Sequence, residues 1–177
     1  MPHPYDEQRP FPAAAFDDVL VGNSEFAAHF KDSGLGGRAA KGLALVTCMD
    51  SRIEPLGILG MKAGDVKILR NAGARVTDDV MRTLVLAAYL LEVNRVLVMP
   101  HTHCKMASGT EDDIHRTISR QYGVDTRSIE FRTVLDQEAA LAEDVKRIRS
   151  HPLLPNYLVV AGATYDVHTG VITPIDI

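Results

Sequence analysis

Residues 42–55 read GLALVTCMDSRIEP. A short apolar run closes on Cys48, and a carboxylate, Asp50, and a guanidinium, Arg52, follow directly. A run this short, bounded by glycine and polar residues, has the pattern of a strand buried on both faces of a parallel sheet. VKILR (66–70) and RVLVM (95–99) share that pattern, and YLVVAGATYD (157–166) supplies a further strand. Between and around them lie helical stretches at 16–30, 77–93, 110–123 and 136–152. Thr77 and Thr110 open two of these as caps with acids in the first turn, Gly123 ends one, and Pro152 stops the last. Strands alternating with helices predict an α/β fold: a single domain with a central, mainly parallel β-sheet flanked by helices. A turn at Thr169-Gly170 adds a C-terminal hairpin strand.

The helix at 77–93 is apolar almost all round from Val80 to Leu91, which requires burial on more than one side. In a chain of 177 residues the second side is expected to meet another subunit, the alternative being a central helix covered by its own domain. The glycine cluster DSGLGGRAAKG (32–42) loosely fits a dinucleotide-binding fingerprint at Gly34, Gly36 and Ala39. That fingerprint needs a strand before it and a helix after it, and here the order is reversed, so the segment reads as a linker. Residues 1–15 are expected to form a flexible or partner-wrapping arm of the one domain spanning 1–177.

Composition narrows the classes. Hydrophobic residues make up 46% and charged residues 24%, with a net charge of −4, the profile of a soluble globular protein with no basic surplus for nucleic acid or an anionic membrane. No apolar run reaches the length of a bilayer span, and the first residues lack a secretory signal pattern, so a cytoplasmic address is expected. In a reducing compartment the two cysteines, Cys48 and Cys104, point to metal binding or catalysis rather than to a disulfide. They do not form a C-x-x-C pair, which disfavours a redox protein.

Both cysteines fall at strand ends. The loop after 95–99 reads PHTHCKM, with His101 three residues before Cys104. In parallel α/β sheets, sites gather at the carboxyl ends of strands where neighbouring connections diverge. If the strands at 42–47 and 95–99 are neighbours, Cys48 comes within reach of His101 and Cys104. Two thiolates and an imidazole are a zinc set with one position open, as catalytic sites have; His103 and Asp50 are the local candidates for a fourth ligand. Asp50 and Arg52 could equally cap the next helix and form a surface ion pair.

These motifs resemble the beta-class carbonic anhydrases, whose signature is Cys-x-Asp-x-Arg on one loop and His-x-x-Cys on a later one. The likeness continues through RNAGARVTDDVMRTLVLAAYLL (70–91) and SHPLLPNYLVVAGATYDVHTGVITPI (150–175). It covers roughly residues 40–177 and is closest to the short archaeal- and actinobacterial-type members. The resemblance implies one Zn2+ per chain on Cys48, His101 and Cys104, with water or hydroxide as fourth ligand. It implies a dyad of Asp50 and Arg52 that orients the zinc-bound hydroxide in reversible hydration of CO2 to bicarbonate and a proton. It also implies a substrate pocket near Ala72, Gly73 and Val76, and a homodimer or homotetramer. In some members the aspartate swings onto zinc in a resting form. A regulatory bicarbonate site that uses tryptophan in some relatives is excluded in that form, because the chain has no tryptophan.

Two positions depart from the family pattern: His103 stands where an acid is common, and Lys105 replaces a glycine. Glycine there would be required by positive φ or a close approach. His103 has a side chain suited to shuttling protons at neutral pH, or else faces solvent. Two other functions fit the same residues: hydrolysis of carbon disulfide or carbonyl sulfide on the same zinc, and a non-catalytic zinc sensor or scaffold.

Overall fold

The computed structural model describes residues 11–177. The arm expected at 1–15 falls largely on residues 1–10, outside the described residues; Ala13–Ala15 form a single 3-10 turn. Two compact units divide the chain between Leu35 and Gly36. In the first, α1 (Asp17–Ala28) occupies the stretch expected to be helical. It opens on Asp17 and Asp18, where the helix dipole favours acids, and none of its residues is buried. Ring pairs stand at its two ends, Phe11–Phe16 before it and Phe26–Phe30 across its last turn, at 5.4 and 5.5 Å between centroids.

The second unit carries the sheet: β1 (Leu43–Cys48), β2 (Val66–Asn71), β3 (Arg95–Met99), β4 (Val159–Tyr165) and β5 (Ile172–Ile175). Their order is β2-β1-β3-β4-β5; the first four run parallel, and β5 returns antiparallel to β4. The expected α/β architecture, its mainly parallel sheet and its hairpin strand are all present. Between the sheet strands run α2 (Pro55–Ile58), α3 (Asp78–Leu90), α4 (Glu111–Tyr122) and α5 (Gln137–Arg149).

β1 is buried at all six residues, because each face of the sheet has its own core. Ala44 and Val46 pack on one side with Val80, Leu84, Leu141 and Val145. Leu45 packs on the other with Met99, Met106 and Tyr165. Two-sided burial is why the strand reads as a continuous apolar run rather than an alternation.

The caps follow the sequence closely. Thr77 accepts from the Val80 N–H, Thr110 and Asp113 form a reciprocal capping box, and Gly123 closes α4 in the left-handed region at φ 69°. The hairpin turns on Gly170 (φ 74°), with Asp166 accepting from the N–H groups of His168 and Thr169. α2 carries no periodic signal in four residues; Glu54 caps it, with Pro55 at its first position. The helix-capping role considered for Asp50 therefore belongs to Glu54. In α3, Val80, Met81, Leu84, Ala87 and Ala88 are buried, while Leu86, Tyr89 and Leu90 are exposed.

Candidate metal centre

β1 lies between β2 and β3. The chain leaves β1 toward one neighbour and returns at the other, so the connections diverge at their carboxyl ends and open a crevice there. Thr47 lies opposite Met99 in the register, which sets Cys48 beside the loop that follows β3. The side-chain donor atoms of Cys48, His101 and Cys104 all fall within 4.8 Å of one another, and all three residues are buried. These are the three residues the motifs named.

His101 is fully buried. Its Nδ1 lies 2.8 Å from the Thr102 carbonyl, so Nδ1–H donates and the tautomer leaves a lone pair on Nε2. Among the described residues, Nε2 is the only buried side-chain nitrogen or oxygen without a hydrogen-bond partner. A buried polar atom normally has one, and an orphan of this kind needs an explanation. A metal ion held there would supply it.

The sulfurs agree with that reading. Cys48 and Cys104 are both free, with 3.9 Å between Sγ atoms. The hydrogen bond from Cys104, joined by the Gly73 N–H at 3.4 Å, pulls the Cys48 thiol down to about 4. The same interaction and burial push Cys104 up. A divalent ion favours the deprotonated form of a thiol that coordinates it. Two thiolates and one imidazole with an open fourth position are the donor set of a catalytic zinc site.

Asp50 and Arg52 form a two-pronged pair. Arg52 Nε donates to Oδ1 at 2.9 Å and Nη2 to Oδ2 at 2.7 Å, and the Arg52 backbone N–H adds a third bond to Oδ1 at 3.0 Å. These bonds hold the Asp50 carboxyl well below the usual carboxylate range. Its Oδ2 lies 3.7 Å from His101 Nε2, facing the donor cluster without joining it. Arg52 Nη2 also donates to the His103 carbonyl at 3.1 Å, so one guanidinium ties the two loops together.

Two supporting groups, Arg70 and Gln137, had no motif to announce them, and a third, Gly73, was expected at the substrate pocket rather than behind a sulfur. Arg70, on β2, donates to the carbonyls of Cys48 (2.9 Å) and Asp50 (2.6 Å). The pairing of Cys48 with Asn71 is what brings Arg70 there, a signal available only once β1 and β2 are paired. Gly73 aims its N–H at the Cys48 sulfur from φ 81°, and a Cβ on it would sit 3.1 Å from Met106 Cβ. Gln137, far along the chain, donates to the His101 carbonyl at 3.1 Å.

An open hollow of about 490 Å3 leads to the cluster past Asp50, Arg52, His103, Cys104, Lys105 and Gln137. Beside it an apolar cavity of about 380 Å3 is lined by Met49, Ala72, Met106, Ile114 and Phe131, with Lys105 between the two spaces. Ala72 therefore faces the apolar cavity and Gly73 lies behind Cys48. Val76 is wholly buried in the main core. His103 is exposed, its ring edge-on to His168 at 4.7 Å between centroids. The positive φ considered for position 105 falls instead on His103, at 55°. Lys105 starts a 3-10 turn, Lys105–Ala107, and needs no glycine.

A family model described as carbonic anhydrase matches residues 43–172. Beta-carbonic anhydrase 1 of Mycobacterium tuberculosis is 35% identical over 155 residues, 87% of this chain and 93% of that protein. The chain belongs to the beta-carbonic anhydrase family. A crystal structure of carbonic anhydrase from Streptococcus mutans superposes with a TM-score of 0.83 at 32% identity, covering 95% of this chain and all of that one. A carbon disulfide hydrolase of Acidithiobacillus thiooxidans is 28% identical over 153 residues, 75% of this chain and 76% of its own length. The family cofactor is zinc, and the Cys48–His101–Cys104 cluster is placed to hold one ion.

Proposed function

We propose that this chain catalyses the reversible hydration of CO2 to bicarbonate and a proton, with Cys48, His101 and Cys104 holding zinc and Asp50 and Arg52 serving the reaction beside it. The observation that carries this reading is the buried, unpartnered His101 Nε2 between two sulfurs. The doubly bonded Asp50–Arg52 pair lies 3.7 Å away. Zinc bound there supplies a Lewis acid that brings the pKa of a water from about 15.7 toward 7.

The chain's own residues do the rest. Asp50, kept ionised by Arg52, is an acceptor only, so Oδ2 takes a hydrogen bond from the attacking oxygen and turns its lone pair toward CO2. Arg52, fixed at both loops, keeps that carboxylate from rotating away. The hollow past His103 and Lys105 gives the bicarbonate a polar exit. The apolar cavity at Ala72 and Met106 offers a neighbouring space suited to a small nonpolar substrate.

We assign the chain to a homodimer or homotetramer, supported by Leu86, Tyr89 and Leu90 standing exposed on α3 and by an α1 with no buried residue. No helix among the described residues is long and apolar enough to cross a membrane; together with cysteines suited to metal rather than to disulfides, this supports the cytoplasmic assignment.

Stopped-flow CO2 hydration by the zinc-loaded protein from pH 6.5 to 9 tests the activity. Turnover above the buffer rate is expected. Turnover of carbon disulfide alone would replace the reading with that of the sulfur-substrate relatives, and zinc bound without any turnover would leave a binding protein.

A further inference from the structure

One helix stands behind both loops that supply the donors. Asp144, in the middle of α5, is buried and receives the Arg75 guanidinium, Nε to Oδ2 at 2.7 Å and Nη2 to Oδ1 at 3.4 Å. Arg75 closes a turn that Asn71 clasps from both sides. The Asn71 side-chain amide donates to the Arg75 carbonyl at 2.7 Å, and the Arg75 N–H donates to Asn71 Oδ1 at 2.9 Å. Gly73 sits inside this turn with its N–H on the Cys48 sulfur. Seven residues before Asp144, two helical turns along the same face, Gln137 holds the His101 carbonyl. Gly73, Arg75, Pro100, Gln137 and Asp144 line one small cavity of about 10 Å3, at most a single water's worth, between α5 and the two loops.

Asp144 touches neither sulfur nor imidazole. A buried ion pair is a poor device for stability alone, since apolar residues of similar volume often replace one without loss. Its value here lies in where it puts the turn. We propose that Asp144, acting through Arg75, is a positioning residue for the metal centre. It holds the Gly73 N–H on the Cys48 sulfur, while Gln137 on the same helix face fixes the loop of His101, so α5 sets the spacing of the two halves.

The inference rests on Cys48 being a zinc ligand, and its test separates the two. Asp144→Asn leaves Arg75 with a neutral partner; the double variant Arg75→Met with Asp144→Leu removes the tether while leaving no buried charge unpaired. Two quantities are measured on each folded variant: zinc affinity by chelator competition, and the thiolate-to-metal charge-transfer band of the Co(II)-substituted protein. Both variants are expected to bind zinc about 10–100-fold more weakly and to shift the band. Asp78→Asn, which weakens a different α5 contact, that of Arg147, is expected to leave both unchanged. A folded double variant with wild-type zinc affinity and an unshifted band would overturn the positioning role. Wild-type protein that binds no zinc would overturn the metal centre itself.

Discussion

The loop after β1 is held by guanidinium groups, whereas the loop after β3 is held mostly through its backbone. In the first, Arg70 reaches from the neighbouring strand to two carbonyls, and Arg52 grips Asp50. In the second, the Thr102 N–H donates to the Tyr165 carbonyl and the Tyr165 N–H to that of Pro100. Gln137 secures His101, whose ring is oriented by its own neighbour's carbonyl. The two loops thus divide the work. The second presents an imidazole of fixed tautomer, and the first sets its sulfur beside the paired charges of Asp50 and Arg52, which the proposed reaction would use. Loss of a donor should empty the centre from either side, while loss of a charge on the first loop should silence it with its metal in place.

The largest effect is expected from Cys104→Ala. Zinc content should fall from about one per chain, the count for a three-donor site, to near none, measured by metal analysis after dialysis. Zinc retained at the wild-type level would remove Cys104 from the donor set. Asp50→Asn keeps the shape of the first loop and removes its charge. CO2 hydration is expected to drop about 100- to 10,000-fold with zinc content unchanged, and an unaltered rate would take Asp50 out of the mechanism. Because Arg52 holds the Asp50 carboxyl below the ordinary range, the group stays ionised from neutral to basic pH. Any limb in the wild-type rate profile there belongs to another group.

Gly73→Ala forces a side chain into positive φ, 3.1 Å from Met106 Cβ. A loss of about 1–3 kcal/mol is expected in denaturant unfolding; undiminished stability would show that the turn relaxes freely. The smallest effect belongs to His103→Gly. Its φ of 55° suits glycine, so stability should hold or rise by up to about 1 kcal/mol. Turnover should persist, because the carbonyl rather than the ring holds Arg52. A fall in low buffer that added imidazole restores would give the ring a proton-carrying role.

Much of this was legible in the sequence because it is local. The strand at 43–48 shows as an apolar run ending on Cys48, and the capping residues stand where helices begin. His101 and Cys104 are a fixed short distance apart on one loop. What was hidden depends on topology. Arg70 and Gln137 matter only because strand pairing and helix packing bring them to carbonyls distant in sequence, and neither has a pattern of its own. The Gly73 N–H is a backbone group, with no side-chain signature. A positive φ at His103 cannot be read from residue type alone, although histidine, asparagine and aspartate tolerate it better than most. That tolerance gives a backbone reason for an acid being common at this position in the family. The exposed side of α3, with Leu86, Tyr89 and Leu90, was visible as excess apolarity.

The claim on which everything else stands is that the two loops meet on a single ion through two sulfurs and one imidazole. Zinc K-edge absorption on the purified protein tests it directly. Two sulfurs at about 2.3 Å with one imidazole nitrogen and one light atom at about 2.0–2.1 Å are expected. A shell of nitrogen and oxygen alone, or of four sulfurs, would contradict it.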